Sequence, residues 1–594
     1  MIYKAPSKDI RFALNELAEL PAICTLPGYE DCSVELTDAI LEEGAKFAEN
    51  VLAPINQQGD KGAKWSPDFT VTAAEGFKEA WQQYVESGWV GLRAPAEFGG
   101  QGLPALVALA AEEMWCSANL AFSLAPMLTL GAIEAINHHA SDELKNIYLP
   151  RMSTGEWTGT MNLTEPQAGS DLAQVRSRAI PVGDGSYKIS GQKIFITWGE
   201  HDMADNIVHL VLARLPDAPA GVKGISLFIV PKFLVHADGS LGARNDVRCV
   251  SIEHKLGIHG SPTAVMSFGD DGGATGYLVG EANKGLAYMF TMMNHARLGV
   301  GIEGMAVSER AYQKAVEYAR DRVQSRAVGS PNPAGVAIIQ HPDVRRMLMT
   351  MKAQIEAQRA LAFYAAAALD RAARDPVASE AARSQALVNF LIPIVKGWNT
   401  EQANEITSLA MQIHGGMGYI EETGVAQYCR DARITAIYEG TTGIQALDLI
   451  GRKTAAEDGV TARWLLEEVK VTAGKLTAAG YASLAANLEA AVKDAERCVA
   501  FILETFGSRP QLAAAGSVPF LKLMGIVLGG WMMGRAALIA RAQQGDEDAD
   551  AEFLAAKIVT ARFYGEHLLP QTAGLAAAIV HGGDSVLELD EALF

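Results

Sequence analysis

The sequence predicts an α+β protein in four parts: a helical domain at 36–158, a sheet domain at 159–283, a second helical domain at 284–454 and an additional helical domain at 455–594, behind an extension at 1–35. Two observations carry this. Hydrophobic periodicity is helical to about residue 151, becomes alternating between about 159 and 280, and turns helical again after about 287. The length allows about four domain-sized units. A content of 49 % hydrophobic and 20 % charged residues fits a folded protein without a long low-complexity tract.

Segments 36–45 and 73–84 mix acidic and apolar residues at helical spacing, and Glu97-Phe98-Gly99-Gly100-Gln101-Gly102 interrupts them before another helix. The stretch 114–133 carries no charge and is nearly long enough to cross a bilayer. Its Ser117, Asn119, Ser123, Pro126 and Thr129 predict instead a buried helix pair broken near Pro126. His138-His139 has metal-ligand residue types but no Cys or acidic partner at ligand spacing, so it reads as a solvated loop and no metal site is expected. In the sheet domain the turn Gly183-Asp184-Gly185 leads into a strand at Tyr187-Lys188-Ile189, with further strands at 208–212 and 225–230. Helical spacing returns at 305–322, 344–373 and 381–413, and the block 455–594 is Ala-rich, acidic and helical. The apolar run 523–534 is too short to span a bilayer, and no membrane span is expected.

Lys plus Arg total 50 against 69 Asp plus Glu, a net charge of -19, which excludes the basic footprint of a non-specific nucleic-acid binder. An anionic ligand held by a few local cations remains compatible. The six cysteines (24, 32, 116, 249, 429 and 498) form no Cys-x-x-Cys pair, and the segment 1–11 already carries Lys4, Lys8, Asp9 and Arg11. The expectation is a reduced, cytoplasmic protein.

The most informative segment is Ile437-Tyr438-Glu439-Gly440-Thr441-Thr442-Gly443-Ile444-Gln445. It sets one carboxylate in a run otherwise uncharged back to Arg433. Apolar surroundings raise a carboxyl pKa by desolvation and make it a general base. A glycine beside it lets a ligand approach the backbone, so that an N–H can bind a substrate oxygen. Read alone, a Glu ahead of a Gly is more commonly a solvated loop residue.

Three more segments accompany it: Met161-Asn162-Leu163-Thr164-Glu165-Pro166-Gln167-Ala168-Gly169-Ser170-Asp171, then Gly191-Gln192-Lys193-Ile194-Phe195-Ile196-Thr197-Trp198, then Gln412-Ile413-His414-Gly415-Gly416-Met417-Gly418-Tyr419 upstream of Arg430-Asp431-Ala432-Arg433. In this order and spacing they resemble the acyl-CoA dehydrogenase superfamily of flavoenzymes, over about the first 450 residues and more loosely beyond. The resemblance implies an N-terminal helical domain, a middle β-barrel or sheet domain and a C-terminal four-helix bundle, with the last helical domain as an addition. It implies FAD as cofactor and α,β-dehydrogenation of an acyl-CoA thioester, a base taking the α-proton while a hydride leaves the β-carbon for flavin N5. That α-proton is weakly acidic, so charge on the thioester oxygen must be stabilised as it leaves.

By resemblance Glu439 is the base, its own N–H with a flavin ribityl hydroxyl polarises the carbonyl, and Tyr438 and Gly440 border the substrate. Members that move the base carry a Glu just ahead of a helical Arg; here that place is Ala296, before Arg297. Leu163 by its backbone and Thr164 by its hydroxyl match positions at the flavin's polar edge, Thr197 a threonine near N5, and Phe195 replaces the commoner tryptophan packed on the ring. Ser170 matches a serine near the pyrophosphate and the pantetheine, with a turn cap as its plainer role. Arg322, Gln412, Gly415 and Gly416 match residues that hold the adenine half of FAD across a subunit interface, and Thr441 falls with the cofactor contacts. Asn294 and Arg297 match a pantetheine-contacting pair, against the plainer reading of a surface ion pair. The chain departs from the family at Arg322-Val323-Gln324-Ser325-Arg326 and at His341-Pro342, where a proline has no N–H to donate.

The opening residues 3–12 and the C-terminal extension look like a large bacterial branch of the superfamily. That branch includes enzymes for a methylthio-substituted propanoyl thioester and for medium and long acyl chains. The favoured substrate is 3-(methylthio)propanoyl-CoA, with Met127, Met292 and Met293 as candidate thioether neighbours or plain core. Electron-transfer flavoprotein is the expected acceptor and a homodimer the expected assembly. An acyl-CoA oxidase passing electrons to oxygen is the nearer rival. A DNA-associated relative is disfavoured by the acidic tail, with Asp546-Glu547-Asp548 and the acidic run 584–591.

Overall fold

The computed structural model describes residues 3–547 and 549–594; Met1 and Ile2 of the charged segment 1–11 and Asp548 of the acidic run lie outside the described residues. After short helical turns between residues 7 and 23, the N-terminal domain is built from α1 (Val34–Phe47), α2 (Phe77–Glu86), α3 (Ala105–Ala118), α4 (Leu120–His139) and α5 (Asp142–Thr154). Ser33 starts α1 by accepting a hydrogen bond from Leu36 N. The uncharged stretch forms the expected buried helix pair, but the break falls at Asn119 and not at Pro126. Asn119 is extended, and its side chain caps α4 by accepting from Phe122 N, whereas Pro126 is carried inside α4. His138 and His139 end α4 and are not a loop; His139 stacks on Tyr288 at 4.5 Å and hydrogen-bonds Thr291. Among the described residues no metal-binding group of His, Cys, Asp or Glu occurs.

The middle domain is an eight-stranded sheet of β1 (Trp157–Asn162), β2 (Arg178–Pro181), β3 (Ser186–Thr197), β4 (Asn206–Ala213), β5 (Ser226–Pro231), β6 (Val247–Ile252), β7 (Thr263–Phe268) and β8 (Ala274–Leu278). The order is β6-β7-β3-β8-β5-β4-β1 with β2 against β3, antiparallel except for β1 beside β4. Strands β4 and β5 are buried on both faces, and α4 packs across β1 so closely that a Cβ on Gly159 would meet Ala132 at 2.5 Å.

The second helical domain contains α6 (Gly285–Asp321), α7 (Pro342–Arg374) and α8 (Ala378–His414), with α9 (Val425–Thr435) and α10 (Thr442–Ile450). Helix α6 begins twenty residues before the expected 305. Glycines diluted the periodic signal there, and they do so for packing: a Cβ on Gly301 would meet Val395 at 2.6 Å, and one on Gly304 the Asn399 backbone at 3.0 Å. The bundle's fourth member is split between α9 and α10, because Glu439 and Gly440 turn the chain through positive φ values of 55° and 86°.

The additional domain comprises α11 (Val460–Ala478), α12 (Ala482–Thr505), α13 (Ser517–Gln543), α14 (Ala551–His567) and α15 (Thr572–His581). The run 523–534 is not an isolated short segment. It lies inside the 27-residue α13, which is long and apolar enough to cross a membrane by length and composition, as is α4. Both apolar stretches are buried inside the protein, 83 % for α13 and 89 % for α4. Helix α13 packs on α7, α8 and α10: Leu521 fills the space left by Gly397, and Gly525 and Gly529 lie against the Trp398 ring.

Candidate active site

The split between α9 and α10 presents Glu439. Its carbonyl accepts from Gln445 Nε2 at 3.1 Å and from Arg297 Nε at 3.4 Å, and the Gly440 carbonyl accepts from Lys396 Nζ at 2.8 Å and from Gln445 Nε2 at 3.2 Å. The N–H of Glu439 has no protein acceptor among the described residues. Burial pushes the Glu439 carboxyl up to about 7, against the pull of Arg297 and Lys396. Arg297 is therefore no surface ion-pair residue: it is buried on α6 with its guanidinium toward the base loop. Asn294, one turn earlier, is exposed. Thr441 caps α10, its hydroxyl oxygen accepting from Ile444 N at 3.3 Å, a structural duty the sequence reading had not assigned.

Ala296 occupies the place of the alternative base, but a second carboxyl stands close by. Tyr438 donates its hydroxyl hydrogen to Glu303 of α6, and Glu303 is pushed up to about 8 by burial and by Glu439. Neither Glu303 nor Lys396 was singled out from sequence. Each sits at helical spacing among apolar residues and meets the base loop only through folding.

A second cluster forms where β1 ends. Ile194 N donates to Thr164 O at 2.9 Å, which sets the Leu163-Thr164 turn beside the end of β3. Beneath it the buried Lys193 donates to Leu163 O at 3.0 Å and to Glu165 at 2.8 Å. Burial raises the Glu165 carboxyl, but Lys193 and three donors from Ser177 and Arg176 outweigh it and hold it down to about 2. Opposite, a register shift between β3 and β7 makes a bulge, and Phe195 there has φ 59° and is 60 % exposed. A strained bulge that turns an aromatic ring outward is a platform for a planar ligand. The hydroxyls of Thr164, Ser170 and Thr197 make no hydrogen bond among the described residues. The turn after Ser170 is capped by Asp171 instead, which leaves Ser170 exposed and free. These features fit the polar edge, ring face and phosphates of a flavin nucleotide.

The third cluster is separate. Tyr318 stacks on His414 at 4.4 Å, so the ends of α6 and α8 lie together; Arg322 follows the end of α6, Gln412 lies in the last turn of α8, and Gly415 and Gly416 follow it, all exposed. A Cβ on Gly415 or Gly416 would meet nothing within 4 Å, so the backbone there is open to a ligand. Eighteen residues of α8 separate Lys396 from His414, about 27 Å of helix. Val323, Val328, Met417, Tyr419 and Ile420 are exposed apolar residues on the segments that follow these two helices.

A small enclosed cavity of about 20 Å³, room for little more than one water, lies between α2, α3, α4 and α6. Trp89 and Trp115, 5.2 Å apart, close it with Tyr84; Cys116, Ser123 and Met127 line it. So does Glu112, which burial pushes up to about 7.

Comparison with known proteins agrees with this fold. The family model for the acyl-CoA dehydrogenase N-terminal domain matches residues 35–156, the middle domain 160–270 and the C-terminal domain 283–454, and a model described as acetyl-CoA dehydrogenase C-terminal like matches 465–590. The chain is 50 % identical to 3-methylmercaptopropionyl-CoA dehydrogenase of Ruegeria pomeroyi over 99 % of both chains. It is 37 % identical to a butyryl-CoA dehydrogenase of Syntrophomonas wolfei over 100 % of this chain and 99 % of that one. Among solved structures, an acyl-CoA dehydrogenase of Bacillus anthracis complexed with FAD superposes with a TM-score of 0.73 at 21 % identity, covering 96 % of this chain and 91 % of that one.

Proposed function

This chain belongs to the acyl-CoA dehydrogenase family, FAD-dependent enzymes that oxidise CoA thioesters, and we propose that Glu439 is its general base and 3-(methylthio)propanoyl-CoA its substrate. The observation that carries the first part is the base loop: a carboxyl raised to about 7 stands beside an N–H with no protein acceptor. At neutral pH such a carboxyl is poised to accept the α-proton, and the N–H offers a donor to the thioester oxygen where charge builds. Tyr438 and Gly440 border the acyl group, Arg297 steadies the loop, and Asn294 and Ser170 meet the pantetheine arm. FAD, when bound, supplies the acceptor for the β-hydride; Leu163, Thr164, Phe195 and Thr197 hold its ring, with Thr441 nearby.

Two observations support the substrate. The sulfur of Met127 lies against Gly299 of α6, two residues from Arg297. Soft, polarisable sulfur suits a thioether tail better than a long alkyl chain. The 50 % identity to a 3-methylmercaptopropionyl-CoA dehydrogenase points the same way. The test is a dye-linked dehydrogenase assay with butanoyl-, 3-(methylthio)propanoyl-, octanoyl- and hexadecanoyl-CoA, with oxygen uptake recorded in parallel. The expected result is the highest kcat/KM for the methylthio substrate and slow oxygen uptake. A preference for hexadecanoyl-CoA overturns the substrate, and oxygen uptake matching the dye rate makes the protein an oxidase. Electron-transfer flavoprotein is the proposed acceptor.

We also propose a homodimer in which Arg322, Gln412, Gly415 and Gly416 hold the adenine half of the neighbouring subunit's FAD. Their distance along α8 from the base loop and the exposed apolar residues around them support it. Light scattering that finds a flavin-replete monomer overturns it.

A further inference from the structure

Lys396 is one of few lysines with no exposed side-chain surface, and it sits in the middle of α8, where an ammonium is costly to bury. Its one hydrogen bond among the described residues reaches 2.8 Å to the carbonyl of Gly440, the residue after Glu439. It has no carboxylate within salt-bridge distance among the described residues. The turn it holds is unfavourable by itself, since Glu439 is a non-glycine residue at φ 55°. Such a conformation persists only where its surroundings over-determine it. Here Lys396, Arg297 and Gln445 all donate to the two carbonyls of the turn.

We propose that Lys396 is a positioning residue for Glu439: its ammonium pins the left-handed Glu439–Gly440 turn through the Gly440 carbonyl and sets a fixed positive charge behind the base. The inference rests on the reading of Glu439 as base. Four titratable groups act most strongly on Lys396. Glu439 attracts it, Glu303 does so only when ionised, Arg297 on α6 opposes it, and Glu401 on its own helix attracts it while accepting from Thr442. Burial lowers the Lys396 ammonium to about 8, so it is charged at neutral pH, and its charge stabilises the ionised form of Glu439. Removing that charge must raise the pH at which Glu439 loses its proton. The cation works from behind the loop, through the backbone and the field, and touches neither substrate nor flavin.

The experiment compares kcat/KM against pH for the wild-type holoenzyme, Lys396→Met, Lys396→Arg and Glu439→Gln, with FAD content measured for each. Lys396→Met keeps the length of the side chain without charge or donor. Its acidic limb should move up by roughly one pH unit or more, with kcat at pH 7 reduced at least 10-fold, part of it recovered at high pH, and FAD content unchanged. Lys396→Arg keeps the charge, and its limb should stay near the wild-type midpoint whatever its kcat; if Lys396→Met does not fold, Lys396→Gln replaces it with the same expectation. A limb unmoved in the neutral variant overturns the inference. If Glu439→Gln bleaches the flavin as fast as wild type, it is the assignment of the base that fails, and the two failures are thereby told apart.

Discussion

The Tyr438 hydroxyl donates to the buried carboxyl of Glu303, tying the residue next to the base onto α6. Among the described residues Glu303 Oε1 has no hydrogen-bond partner, and burial lifts this carboxyl to about 8, so it is a neutral acid at pH 7.

Tyr438→Phe should therefore destabilise the fold by ~1–3 kcal/mol, the usual cost of a buried polar group that loses its partner. Glu303→Gln keeps an acceptor for the hydroxyl and should stay within ~1 kcal/mol of wild type. Urea denaturation of both variants measures this; equal midpoints for Tyr438→Phe and wild type would refute it.

The pH dependence follows from the sign of the Glu439 shift. Its carboxyl titrates at about 7, above its ordinary value of 4.5, and it acts as base only when deprotonated. Activity should rise with pH along a single limb centred near 7 and be low at pH 5. An acidic limb centred near 4.5 in kcat/KM would mean that the base is not desolvated as the structure has it. Glu439→Gln should lower the rate of anaerobic flavin bleaching by about 10²–10⁴-fold while flavin stays bound.

Phe195 offers a test of the cofactor face. Phe195→Gly removes both the outward ring and the positive-φ strain at 59°. Loss of ring stacking should weaken FAD binding by roughly 2- to 10-fold, while the apoprotein becomes no less stable than wild type. Quenching of FAD fluorescence on titration gives the affinity, and an unchanged value would show that the ring carries none of it.

Gly525→Ala probes the seat of the additional domain. The new Cβ would stand 2.3 Å from the Trp398 ring, in a closed core. The expected cost is ~1–3 kcal/mol or more. Gly574→Ala, on the exposed face of α15 with nothing within 4 Å, should instead stabilise by up to ~1 kcal/mol. Thermal or urea melts that rank the two variants the other way would contradict this packing.

What was legible in the sequence was what is local. Glu439 stood out because its neighbours along the chain are uncharged, and the change of period marked the sheet domain. The partners that tune the site are remote in sequence: Lys396 is 44 residues and Glu303 135 residues from the groups they hold. Nothing in the spacing of Lys193 announces that it props up Leu163, thirty residues earlier. The misplaced helix break has a similar cause. Proline is the louder local signal, but it tolerates a place inside a packed helix, while Asn119 ends one helix and caps the next with a single side chain. The fragment 523–534 looked short because its flanks turn polar before the helix ends.

The seat of α13 on Trp398 also bears on how this protein behaves when diluted. The face of α7, α8 and α10 that α13 covers is apolar, and a chain ending near residue 455 would have to cover it with another polypeptide. A partner held only by mass action leaves as the concentration falls. A partner joined by a short covalent connection is always present at a high effective concentration. In this chain the helix that carries Lys396 keeps its backing at any protein concentration.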